Sequence, residues 1–292
     1  MSLSRLSLVL ALAPAVVAAQ ETSGELFTWS GRLAAGSTLG IKHYNGAIEV
    51  RESTTDRVEF RAERRSRRSS EVSFQVQNES NGVTICGVWR GRSACDTGRR
   101  SGWDWDEGPP ASRLTVLLPK GVRLDATTGN GDVTVEKASN DVDITSGNGD
   151  VRISLTAGRV DVTTGNGELE IDGATGPVHA TTGNGRVYAN TATGPVTVRS
   201  GNGDIDVRMK ALTGTSDMQF VTGNGSVVVA LPGNFNGEID ARTGHGDFRS
   251  DFEIRIMGRL NPSHIRGTIG EGGGRVIKMV SGNGRLELRK SN

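Results

Sequence analysis

The chain has 292 residues, a formal net charge of +1, 41 glycines and 4% aromatic residues. Near-cancelling charge excludes a global field that would select nucleic acid. Abundant Gly and Val with few aromatics argue against helices and for stacked strands joined by tight turns.

In chain order, the first element is an export signal. Arg5 precedes the apolar run LSLVLALAPAVVAA, which ends in Val17-Ala18-Ala19 before Gln20. This is the pattern of a secretory signal peptide over residues 1–19, cleaved after Ala19. The run is too short and too rich in Ala and Pro for a good membrane span, and no later stretch is apolar enough to make one. The expectation is an exported chain, periplasmic, at the cell surface or extracellular.

Residues 20–118 read as a less regular β region. HYNGAIEVRE at 43–52 is a degenerate copy of a motif that recurs later, and RVEFRAE and EVSFQVQN alternate as strands. The basic run RAERRSRR at 61–68 reads first as a solvated hairpin turn and second as a patch for anionic envelope polymers. Residues 86–110 break the pattern and read as a long loop rich in Cys, Trp and Arg. Within it Cys86 and Cys95 are predicted to pair as a disulfide, as an exported context favours. No pair of histidines stands near them to complete a zinc site. Trp89, Trp103 and Trp105, with Arg90 and Arg92, are the candidate binding residues: exposed Trp is a common platform for sugars and an anchor at interfaces. The alternative is that the tryptophans cover an open end of the fold.

From residue 119 onward one turn recurs: TTGNGDV, TSGNGDV, TTGNGEL, TTGNGRV, RSGNGDI, VTGNGSV, RTGHGDF and VSGNGRL. Gly129, Gly147, Gly165, Gly183 and Gly201 are 18 residues apart, and later intervals widen. A fixed period is the mark of a solenoid. Each period splits into two halves, each a turn followed by an alternating strand, with Val133 and Val135, Val142 and Ile144, Val151 and Ile153 facing inward. The prediction is an all-β, single-stranded parallel β-solenoid of about 18 residues per coil over 119–292, continuous with the region before it. Stacking in sequence order would place Asn130, Asn148, Asn166, Asn184, Asn202, Asn224 and Asn283 above one another as an amide ladder. The Thr or Ser ahead of each turn is expected to form a second, hydroxyl ladder.

The lead-in LLPKGVRLDATTGNGDVTV, the paired nine-residue halves and the closing IRGTIGEGGGRVIKMVSGNGRLEL together resemble the bacterial "putative adhesin" β-strand-repeat family, a domain of unknown function. The resemblance covers nearly the whole chain after the signal. It implies an exported β-solenoid with no established enzymatic activity and no family catalytic residues to carry over.

The residues themselves bound the chemistry further. After the second Gly of each turn stand Asp132, Asp150, Glu168, Arg186, Asp204, Ser226, Asp247 and Arg285, and the arginines rule out a cation site at every repeat. His245 falls where the repeat predicts Asn, so a drifted repeat explains Gly-His-Gly better than a polygalacturonase motif does. GEGGGR at 270–275 lacks the setting of a phosphate loop. No metal or cofactor is expected, and no catalytic residue is assigned. The expected function is a non-catalytic binding or structural module of the bacterial envelope, contacting glycans or a surface or periplasmic protein. A periplasmic regulatory module that senses envelope stress through protein contacts is the second expectation. A carbohydrate-active enzyme is the third, and it requires carboxylates clustered on neighbouring coils.

Overall fold

A computed structural model describes residues 26–64, 71–96, 108–258 and 261–291. The signal segment, residues 65–68 of the basic run, and Trp103 and Trp105 lie outside the described residues. Among those described, the secondary structure is β throughout apart from turns and a single 3-10 position, Glu71.

The strands form two facing sheets, one of 12 strands and one of 14. The chain crosses from the larger to the smaller sheet at every Gly-Asn-Gly turn. Val142–Asn148 lies in the larger sheet and Val151–Ser154 in the smaller, and Val160–Asn166 and Leu169–Ala174 repeat the move. Each coil supplies one strand to each sheet, because both of its halves alternate and both have an inward face. Parallel partners run Val142 to Val160 to Val178 to Val196 in one sheet and Val151 to Leu169 to Val187 to Ile205 in the other. These side chains are all at most 1% exposed and meet between the sheets as like on like. A coil buries few aliphatics for the length of chain it orders, so only its neighbours make it stable.

Stacking follows sequence order for most of the molecule but not at its end. Val276–Asn283 and Leu286–Ser291 do not sit outside the preceding coil. They are wedged between the coil at Met218–Asn224 and Val227–Pro232 and the coil at Gly237–His245 and Phe248–Ser250. An antiparallel pair, Ile254–Ile256 with His264–Ile269, then covers the larger sheet at that end. The long interval between Gly244 and Gly282 is this excursion.

The region before residue 119 joins the same stack. Thr38–Asn45 pairs with Arg123–Asn130, and Ile48–Glu52 with Val133–Val135. Gly82–Trp89 and Ser112–Leu118 add a further coil, in which the Cys/Trp/Arg loop takes the place of the Gly-Asn-Gly turn. Antiparallel strands Leu26–Arg32, Arg57–Arg64 and Val72–Glu79 close this end. Most of the phenylalanines gather at the two ends, while Phe220 is buried in a column between Val198 and Met279. Phe27, Phe60 and Phe74 form one cluster with ring centroids 5.2–6.0 Å apart, and Phe235 and Phe252 pack edge to face at 6.2 Å at the other end. Bulky rings suit the places where no further coil sets the spacing.

Candidate binding site

The turns are frame. Asn148 Nδ2 donates to Asn130 Oδ1, Asn166 to Asn148 and Asn184 to Asn166, each at 2.7 Å; Asn202, Asn224 and Asn283 continue the file at 2.6–2.8 Å. Asn130 donates onward to Asn45 at 2.7 Å, and Asn45 to the Pro109 carbonyl, so the file reaches one residue further than the strict repeat and ends on the loop. All these bonds point the same way, so each polarises the next. At the other end His245, not Asn, faces Asn283 in register. Asn166→Ala is expected to lower stability by about 1 kcal/mol, since the column is exposed and water can take over the bonds; a urea titration measures it.

The hydroxyl column departs from expectation. Thr164, Thr182 and Ser200 do not bond one another. They donate to the carbonyls of Gly149, Gly167 and Gly185 on the preceding coil, at 3.1, 3.1 and 3.2 Å. These hydroxyls are 1–6% exposed. The buried Thr or Ser thus supplies a donor to a half-buried carbonyl at the turn.

Aspartate after the turn is also frame. Asp132 Oδ1 accepts the backbone N–H of Asp150 and Asp150 Oδ1 that of Glu168, both at 2.9 Å; Asp204 Oδ1 accepts that of Ser226 at 2.8 Å. Carboxylates aimed at the next coil are not gathered around a cation, and no group of three or more metal-ligating side chains occurs among the described residues.

The loop residues divide. Cys86 and Cys95 are disulfide-bonded. Trp89 is 7% exposed, and its Nε1 donates to Glu71 Oε2 at 3.2 Å. The Arg90 guanidinium lies 4.7 Å from the Trp89 ring centroid and 3.5 Å from Glu71. Trp89 is therefore corrected from an exposed platform to a covering residue: its ring closes the end of the sheet under Arg90. Arg92 is exposed, and its carbonyl accepts from the Tyr44 hydroxyl at 3.1 Å.

A different surface has the shape of a site. On the outward face of the smaller sheet, one column reads Thr134, Arg152, Glu170, Tyr188, Asp206, Val228 and Glu287, coil by coil. A groove of about 470 Å³ runs across it, lined by Arg152, Glu170, Arg186, Tyr188, Asp206 and Val228 among others. Arg152 pairs with Asp150 and Glu170 at 3.4 Å, and Arg208 pairs with Asp206 at 3.4 Å while lying 5.8 Å from the Tyr188 ring centroid. The depression arises because short Ser226 and Val228 follow the larger residues of the coils before them. Nothing in the repeat marks this groove, since its residues are those at which the repeat varies.

Two titratable groups stand out elsewhere. Burial works to raise the Asp240 carboxyl, but hydrogen bonds from Arg242 and His264 and the charge of Arg266 outweigh it and hold the group at about 2. Asp125, Asp143 and Asp161 stack in register on the larger sheet, where burial and then the charges of Asp161 and Asp125 raise the Asp143 carboxyl.

Coiled strands in two parallel sheets, bounded by antiparallel caps, define a β-solenoid of the Toastrack class. The chain belongs to the Toastrack DUF4097 family, whose model matches residues 37–287. It is similar to the solved structure of a "putative adhesin" from Bacteroides fragilis NCTC 9343, at 11% identity over 92% of this chain and 98% of that one, with a TM-score of 0.46. A second "putative adhesin", from Parabacteroides merdae ATCC 43184, matches at 12% identity over 91% and 97%, with a TM-score of 0.45. A "putative cell adhesion protein" from Clostridium sporogenes ATCC 15579 matches at 9% identity over 91% and 100%, with a TM-score of 0.30. No curated protein matches the chain.

Proposed function

We propose that the protein is an exported, non-catalytic binding module of the bacterial cell envelope. The observation that carries this reading is the division of labour within each coil. The repeated Asn, Thr or Ser, Asp and aliphatic residues are occupied in the frame, and the freely varying columns form broad outward surfaces, one of them grooved. The non-catalytic part is supported by the Ser112–His43 pair. It has a hydrogen bond of 2.8 Å, yet the two side chains are 1% and 4% exposed, out of reach of a substrate. The leader at 1–19 supports export. No helix among the described residues is long and apolar enough to cross a membrane.

The test is a binding screen of the purified chain against isolated envelope fractions and glycans, repeated with residues 90–108 replaced by a short linker. Saturable binding to an envelope fraction is expected; absence of any binding would end this reading. The carboxylate column favours the enzymatic rival. Strands about 4.8 Å apart bring Asp125, Asp143 and Asp161 near the separation of a retaining glycosidase pair. That rival predicts polysaccharide turnover that Asp143→Asn abolishes, whereas a binding module predicts none in either protein.

A further inference from the structure

We propose that the groove at Tyr188 binds a linear, uncharged glycan laid along the solenoid axis. The inference rests on the reading of the chain as a binding module and names the ligand class and place. Three observations support it. First, the groove is where the frame lets go. On the coils before and after, aspartate at the turn accepts a backbone N–H of its neighbour, but here the position is Glu168 and then Arg186. The Arg186 guanidinium is exposed and has no hydrogen bond or ion pair among the described residues. The Tyr188 hydroxyl likewise makes no hydrogen bond there.

Second, the lining has the composition that recognises a polyhydroxylated chain. Tyr188 supplies an aromatic surface for the C–H face of a sugar ring, in competition with the Arg208 guanidinium 5.8 Å from its ring centroid. Among the described residues Glu168 supplies an unengaged acceptor for hydroxyls and Arg186 an unengaged donor, while Glu170, Asp204, Asp206 and Arg152 already bond within the protein and add only their remaining lone pairs and N–H groups. Four carboxylates against two guanidiniums disfavour an anionic ligand. Two of the carboxylates, Glu170 and Asp206, are already paired with arginine, so a strongly cationic ligand would have to compete for them.

Third, the groove presents a spacing. Strands about 4.8 Å apart place Arg152, Glu170, Tyr188, Asp206 and Val228 one after another along the axis, close to the advance of one ring in an extended polysaccharide. A chain laid along the axis therefore meets a different side chain at each ring, with Tyr188 the aromatic one. Short Ser226 and Val228 leave it room beyond Tyr188.

The experiment measures binding of cellohexaose, chitohexaose, polygalacturonate and hexalysine to the full exported chain by calorimetry, with wild type, Tyr188→Ala and Tyr188→Phe. Thermal melting of each variant checks that it is folded. We expect one of the two neutral hexasaccharides to bind. Tyr188→Ala should weaken it about tenfold, the scale of a lost stacking contact, and Tyr188→Phe by less than threefold. Binding only to polygalacturonate or only to hexalysine overturns the proposal, as does neutral-glycan binding that Tyr188→Ala leaves unchanged. If envelope fractions bind but neither neutral hexasaccharide does, the groove assignment falls while the binding-module reading stands. If nothing binds, both fall.

Discussion

Gly149→Ala is expected to destabilise the protein by about 3–4 kcal/mol, an exceptional cost for one methyl group. Gly149 has φ of +144°, a conformation that side-chain-bearing residues rarely adopt. A Cβ there would sit 2.3 Å from the Gly131 carbonyl oxygen and 2.5 Å from its carbon. The obstacle is backbone of the coil beneath, which is tied by the N–H of Gly131 donating to the Asn148 carbonyl at 2.7 Å. Relief would require the two coils to separate, which breaks the amide file and the aliphatic stack together. Gly36→Ala is the matched control. Its φ is +86° with nothing within 4 Å of the added Cβ, so only backbone strain of about 1 kcal/mol is expected. Urea unfolding of both variants measures the contrast. A Gly149→Ala protein within 1 kcal/mol of wild type would show that the coils are not in register at this turn.

The second large effect is acid destabilisation through His43. This imidazole is 4% exposed, stacks against Phe74 at 5.6 Å and shares a hydrogen bond with Ser112. Its Nδ1 has no partner in hydrogen-bonding geometry, although the Asn45 backbone lies near enough to favour the proton somewhat. Burial dominates and pushes the group down from 6.5 to about 4. Between those two values the unfolded chain binds a proton that the folded chain does not. Stability from this group is therefore complete above pH 6.5 and falls as pH drops toward 4, by about 3 kcal/mol in all. Asp240, held at about 2, loses its contribution only at lower pH and does not confuse the window. The double variant His43→Phe, Ser112→Ala keeps an aromatic ring on Phe74 and strands no hydroxyl. Between pH 7 and pH 4.5 its melting temperature is expected to fall much less than that of wild type, the remaining loss coming from carboxylates such as Glu287 and Asp247 that are held low in the fold. Equal acid sensitivity in the two proteins would remove His43 as the cause.

Both effects come from the same design. A stacked coil has little freedom at its turns and little bulk in its core, so steric and electrostatic demands fall on few residues. At the N-terminal end the stack meets a different environment. There Phe27, Phe60, Phe74 and Trp89 replace aliphatic columns, and a buried imidazole is enclosed beside the Cys86–Cys95 disulfide. The end cap thus carries the buried imidazole, while the titratable groups of the regular coils, such as Asp143, stand on the outward face.

The all-β class, the inward Val and Ile columns and the recurrence of the turn were legible in the sequence, because alternation and period are local properties of the chain. The family was legible for the same reason. Which hydroxyl bonds which carbonyl was not legible, since that depends on the position of the neighbouring coil's turn relative to the side chain. Nor was the place of the final coil: Val276–Asn283 slips between earlier strands because the intervening residues can reach around and because parallel pairing accepts any matching neighbour. Trp89 looked like a ligand platform until the position of Glu71 and Arg90 showed it covered. The groove at Tyr188 had no sequence signal at all. Periodicity alone determined the frame, because every coil must satisfy the same contacts. Only the tertiary structure decided the surface, because a groove forms where long and short side chains on different coils become neighbours.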